Sequence, residues 1–198
     1  MAKFTRIPTN TFQNIAINAG VICTDFTPGT GTINEADILG ATTGGLTITC
    51  VPEFADMGED IDNCPKNTKE LKKITSWTVT ASGTLVTISA AAAKRLLAAA
   101  DVASNKITPR MDLDDTASTG DFGDIWIVGD YSDKNGAVNG GFVACHVLNA
   151  LSTGGFSLVT SDGEKAQFAF EFTGHVSIEA QDVVPFEMYV TAGSAEPT

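Results

Sequence analysis

Apolar and polar residues alternate in short stretches along much of this chain, and the stretches are bounded by turn-forming residues. Leu46-Thr47-Ile48-Thr49-Cys50-Val51 alternates cleanly, which predicts a strand with one buried face that ends at Pro52. A second strand pair is predicted over 76–88. There Trp77, Val79 and Ala81 share a face, but past Gly83 the apolar parity passes to Val86 and Ile88, so a bulge or turn is expected near Gly83. Residues 12–23 predict a first strand or two. Residues 124–129 and 141–148 read as strands around an Asn135-Gly136 hairpin turn, and Phe156–Val159 runs into a turn at Ser161-Asp162-Gly163. In Gln167–Thr173 the three residues Phe168, Phe170 and Phe172 take one face, and burying them contributes about 5–9 kcal/mol before entropy, enough to fix the register. Phe186, Met188 and Val190 repeat the alternation in a last strand. Only residues 90–102 carry a helical period: Ser89 suits the N-cap, and Ala93, Leu96, Leu97 and Ala100 form the apolar stripe.

The remaining segments are polar. Residues 1–10 read as an arm and 192–198 as a tail. Residues 54–75 read as a long polar loop, with Asp56, Glu59, Asp60 and Asp62 followed by Lys66, Lys69, Lys72 and Lys73. A polar stretch of that length inside a compact domain points to a functional loop. The 198 residues fit one domain, and the many short strands with 19 glycines predict a mainly β fold, a β-sandwich or barrel with one flanking α-helix.

Charge narrows the function classes. The net charge of −12 opposes the clustered Lys and Arg that grip nucleic acid, and it disfavours an anionic membrane surface. The start shows no apolar h-region and no stretch nears the ~18 apolar residues of a membrane span, so folding in a reducing cytoplasm is expected, with Cys23, Cys50, Cys64 and Cys145 as small buried hydrophobes. No cofactor is expected. Asp112, Asp114, Asp115, Asp121 and Asp124 crowd one region, but a calcium loop starting at Asp112 would have Ala117 at its sixth position and Gly123 at its twelfth. Gly29-Thr30-Gly31-Thr32 lacks the Gly-Lys-Ser/Thr of a phosphate loop. His146 and His175 read as structural, Trp77 and Trp126 as core, and no nucleophile, base and orienting group stand together, so no enzyme is expected.

An ordered series of runs resembles the phage major tail protein (tail tube protein) family. The runs are Ile107–Leu113, Asp124–Tyr131, Gly140–Val143, Asn149–Leu158, Phe170–His175 and Val184–Tyr189. The resemblance spans roughly 10–191 and is strongest after 107. It implies a structural subunit of the virion, six copies closing into a ring by joining inner sheets edge to edge, with rings stacked into a hollow tube that lets DNA pass without binding it. Tape measure and tail terminator proteins would be the other partners, and residues 54–75 would bridge stacked rings, mobile before stacking and ordered after it. The tube of a contractile tail or of a phage-derived injection particle is the near alternative. A monomeric β-sandwich binding module is the alternative from another class.

Overall fold

The computed structural model describes residues 17–116, 120–130 and 141–191. The expected arm 1–10, the Asn135-Gly136 turn and the tail 192–198 lie outside the described residues. The fold is mainly β, as the alternation predicts. In chain order its elements are β1 (Ile17–Cys23), β2 (Thr42–Asp56), β3 (Lys72–Leu85), α1 (Ala90–Leu96), β4 (Ala100–Ala103), β5 (Lys106–Pro109), β6 (Gly123–Asp130), β7 (Phe142–Ser152), β8 (Ser157–Val159), β9 (Gln167–Thr173) and β10 (Phe186–Thr191).

Eight of these strands form one antiparallel sheet in the order β1-β6-β7-β9-β3-β2, with β10 added to β7 and β8 to β9. β7 joins two wings. Along its first half it lies between β6 and β10, and its last residues, Leu151 and Ser152, pair with β9. The first wing is therefore β1-β6-β7-β10 and the second is β8-β9-β3-β2. The sheet rolls so that their apolar faces meet: Ile22, Ile125, Ile127 and Val147 from one wing pack with Val79, Ala81, Leu85 and the three phenylalanines of β9 from the other. The rolled ends approach where Leu39 N–H donates to Ile22 O at 3.1 Å. Ala92 and Leu96 of α1 close one end of this core.

Three local expectations change. β2 does not stop at Pro52, which pairs opposite Trp77 inside the strand. β2 is the edge of its wing, where a residue without an N–H is tolerated. Nor does β3 bulge at Gly83: Val79, Ala81 and Leu85 keep one parity and are buried, and Val86 and Ile88 lie beyond the strand. Gly83 is small for packing, since a Cβ there would sit 2.7 Å from Leu46 Cδ2 and 2.9 Å from Phe170 Cζ. The ladder instead shifts at two places, on β2 between Thr43 and Leu46, where Gly44 and Gly45 take φ of 76° and 85° that glycine adopts without strain, and on β3 at Thr75, between the pairs Glu53–Ser76 and Phe54–Ile74.

The helix is shorter than 90–102. Ser89 caps it, its Oγ accepting the Ala92 N–H at 3.1 Å, but Ala98 turns left-handed (φ 62°) and Ala100 begins β4, paired with Pro109 of β5. A run of alanines favours a helix only weakly without packing, and strand pairing overrides it.

Candidate functional site

The two wings treat their outward faces differently. On the first wing that face is roofed. Phe26, brought over by the loop after β1, meets Trp126 edge-on at 5.5 Å and Phe142 at 5.1 Å, and Cys23, Ala144, Ile33, Val128 and Tyr189 complete a second small core. His146 stacks flat on Trp126, with ring centroids 3.8 Å apart and 8° between planes. Its Nε2 lies 3.0 Å from Asp124 Oδ2 and its Nδ1 3.1 Å from Glu187 Oε2, which also accepts the Tyr189 hydroxyl at 2.8 Å. Both bonds form only when both ring nitrogens carry protons. Burial pushes the His146 pKa down, but the bonds to Asp124 and Glu187 outweigh it and hold it above the ordinary value. The His146 bond in turn holds Asp124 and Glu187 below the usual carboxylate range, helped by the Asn149 N–H and the Tyr189 hydroxyl respectively.

On the second wing the outward face is bare. Pairing aligns Thr49, Thr80 and Thr173 in one row, and Thr47, Ser82 and Glu171 in the next. The hydroxyls of Thr49 and Thr80 lie 2.5 Å apart and those of Thr153 and Thr173 2.7 Å apart, so they satisfy one another across strands. Nothing among the described residues covers this face.

The same wing also overhangs the body. β9 pairs with β3 only over Thr80–Leu85, so Lys72–Val79 has β2 as its only strand partner among the described residues. The overhang is a two-stranded ribbon, a form that is at best marginally stable by itself in water. Its core-side residues are large and apolar: Pro52 opposite Trp77, and Phe54 opposite Ile74. Phe54 is 59% exposed, Ile74 45% and Trp77 36%, so the expectation of a core Trp77 is overturned, whereas Trp126 at 6% bears it out. Trp77 has the right parity, but the sheet that would cover it ends at Thr80.

The polar loop expected over 54–75 is narrower. Phe54–Asp56 and Lys72–Thr75 are strand, and residues 57–71 form the connection. The connection closes on itself: Asp56 Oδ1 accepts the Gly58 N–H and Oδ2 the Asn67 N–H, both at 3.1 Å, and Met57 N–H donates to Leu71 O at 3.0 Å. Those two N–H bonds, with Lys72 3.9 Å away, hold the Asp56 carboxyl below the usual range. Of the eight charged residues singled out in the sequence, Asp56 and Lys72 thus anchor the base of the loop, and Lys69 pairs with its neighbour Glu70 at 3.4 Å. Glu59, Asp60, Asp62, Lys66 and Lys73 are exposed, and no ion pair engages them among the described residues. The apolar Met57 and Ile61 are exposed beside them.

The aspartates near β6 serve the fold. Asp121 is buried, accepting from Arg110 Nη2 at 2.6 Å and from the Asp114 N–H at 2.9 Å, and Asp124 is committed to His146. Cys23 is fully buried, while Cys50, Cys64 and Cys145 are half-buried. Burial, then Asp37 and Asp25, lifts the Cys23 thiol to about 11, and burial also raises Cys50 and Cys145, which makes all three poor nucleophiles.

No family model matches the chain, and no curated protein matches it. Among solved structures, the chain is similar to one from the tail of an empty GTA particle in C6 symmetry, at 10% identity and a TM-score of 0.41, over 88% of this chain and 96% of that one.

Proposed function

We propose that this chain is a structural subunit, without enzymatic activity, that assembles into rings of six copies. The rings stack into the hollow tail tube of a phage or phage-like particle, and DNA passes through it without being bound. The observation that carries the reading is the overhanging ribbon, whose Phe54, Ile74 and Trp77 are each partly exposed among the described residues. An apolar strand pair that the described residues of its own chain leave partly uncovered is a surface for another protein. The series of tail-tube-like runs in the sequence names that other protein as a second copy.

The loop 57–71 at the ribbon tip then contacts the next ring through Glu59, Asp60, Asp62, Lys66 and Lys69, with Lys73 beside it at the start of β3. Asp56 and Lys72 keep the loop closed. Tape measure and terminator proteins set where the tube begins and ends. Light scattering and negative-stain microscopy of the purified protein at rising concentration test the reading: rings and tubes are expected, and a monomer at every concentration overturns it. A variant joining Met57 to Leu71 through a short Asn-Gly turn is expected to form rings that do not stack. Normal tubes from that variant would remove the loop from the stacking contact.

A further inference from the structure

One histidine side chain ties two strands to a third. His146, on β7, lies in register with Trp126 of β6 on one side and Glu187 of β10 on the other. Its ring lies flat on Trp126, and its two nitrogens meet Asp124 Oδ2 at 3.0 Å and Glu187 Oε2 at 3.1 Å. An ionised carboxylate accepts and never donates, so a ring between two of them makes both bonds only as the cation; the neutral ring has one proton and one partner. We propose that His146 is a pH-operated latch on β10: when its second proton leaves, the ring keeps Asp124 and releases Glu187. The latch works within a single chain and does not depend on ring assembly.

The surroundings of the two carboxylates decide which one stays. Asp124 is held without His146: its Oδ1 accepts the Asn149 N–H at 3.0 Å, and the Arg95 guanidinium of α1, packed against Gly123, adds positive charge beside it. Glu187 has no backbone bond of this kind among the described residues. Its other bond comes from the hydroxyl of Tyr189, two residues along the same strand, so carboxylate and hydroxyl can turn to water together. Once the remaining proton sits on Nε2 for Asp124, the bare Nδ1 faces Glu187 across 3.1 Å, acceptor against acceptor. β10 has little else to hold it. Among the described residues it pairs with β7 alone, the His146 bond is its only side-chain hydrogen bond to another strand, and Met188 and Val190 are 56% and 53% exposed. The charged groups that face the ring are Asp124 from β6 and Glu187 from β10, with Tyr189 reaching it through Glu187; Asp25 and Asp37, on the loop roofing this wing, act on Cys23 instead. Burial disfavours the charged ring, but the two carboxylates outweigh it and keep the proton past the ordinary histidine value of about 6.5, so the latch opens on the alkaline side of that value.

Nitrogen NMR of the histidine rings in dilute protein, titrated across neutral pH, tests the latch, with His146→Gln separating the His146 signals from those of His175. Amide exchange of β10 is followed in the same samples as protection factors, which remove the intrinsic pH dependence of exchange. A doubly protonated His146 ring at acid pH is expected, then a single step to the Nε2–H tautomer. Protection of β10 should fall about tenfold through that step while β6 stays unchanged. Glu187→Gln supplies an amide that donates to the bare Nδ1, so this variant should hold β10 at its protected level on both sides of the step. A ring that rests on the Nδ1–H tautomer at alkaline pH keeps Glu187 instead and overturns the latch. So does a ring that never carries both protons, β10 protection that passes through the titration unchanged, or a Glu187→Gln variant that loses protection as the wild type does.

Discussion

The two wings share a core and a strand count, yet one has its outward face roofed and the other does not. On β1-β6-β7-β10 the outer face is roofed by Phe26, Trp126, Phe142 and the stacked His146, and the inner face packs on the common core except at the edge strand β10, where Met188 and Val190 stay more than half exposed. On β8-β9-β3-β2 the outer face is a bare array of Thr and Ser, and the far end of the β2–β3 hairpin carries Trp77, Phe54 and Ile74 partly exposed, with no third strand over them among the described residues. Two tryptophans in the same sheet thus have opposite fates, because a third strand lies beside one and not beside the other. On the proposed reading, the second wing is the surface that a neighbouring copy completes.

The largest expected effect separates the tryptophans. Trp126→Ala removes the floor of the second core and should cost about 3–5 kcal/mol, read as a lower denaturant midpoint of the monomer. An intermediate effect is expected where the wings touch: Gly83→Ala forces a methyl into Leu46 and Phe170 and should cost about 1–3 kcal/mol in the same measurement.

Next comes the pH profile of the His146 clamp. His146 is raised in the folded state, so its contribution is fully present below the ordinary histidine value of about 6.5 and is lost as pH rises through the folded value. Asp124 and Glu187 are lowered, so theirs is present above the ordinary carboxylate value of about 4 and is lost as pH falls through their folded values. The stability gap between wild type and His146→Gln should therefore be widest between about pH 5 and 6.5, at about 1–3 kcal/mol, and should narrow towards pH 9. A gap that grows with rising pH would show that the clamp works with neutral histidine. The smallest effect on the monomer is expected from Trp77→Ala, about 1 kcal/mol, because the side chain is already more than a third exposed and lies on a two-stranded ribbon outside the core. The same variant should lose rings and tubes in micrographs, and unaltered assembly would remove Trp77 from the interface.

The sequence made much of the first wing and of β9 legible. The alternation of Phe168, Phe170 and Phe172 predicts both the strand and its buried face, and Ser89 predicts the start of the helix. Where the reading failed, non-local pairing decided. Ala100–Ala103 continues the helical pattern in sequence, but pairing with β5 makes it a strand. Gly83 looks like a strand breaker, yet its role is set by Phe170, far away in the chain. Pro52 looks like a strand end and is tolerated only because β2 is an edge, a property of topology. Of the candidate site, the charged tip residues were visible as a polar run. The ribbon beneath them was not, because Trp77 has core parity and only the length of β9 shows that it is uncovered. His146 likewise gave no sign of its two carboxylates, which lie 22 and 41 residues away.

Amide hydrogen exchange of the protein, dilute and then concentrated, tests most directly whether other copies complete the second wing. The account predicts that the amides of Thr47–Asp56 (Pro52, which has none, apart) and Ser157–Val159 that point away from β3 and β9 exchange quickly in dilute solution and become protected as concentration rises, while β6 and β7 keep the same protection throughout. Protection of β2 and β8 that is already full in dilute protein, or that never changes with concentration, would contradict it.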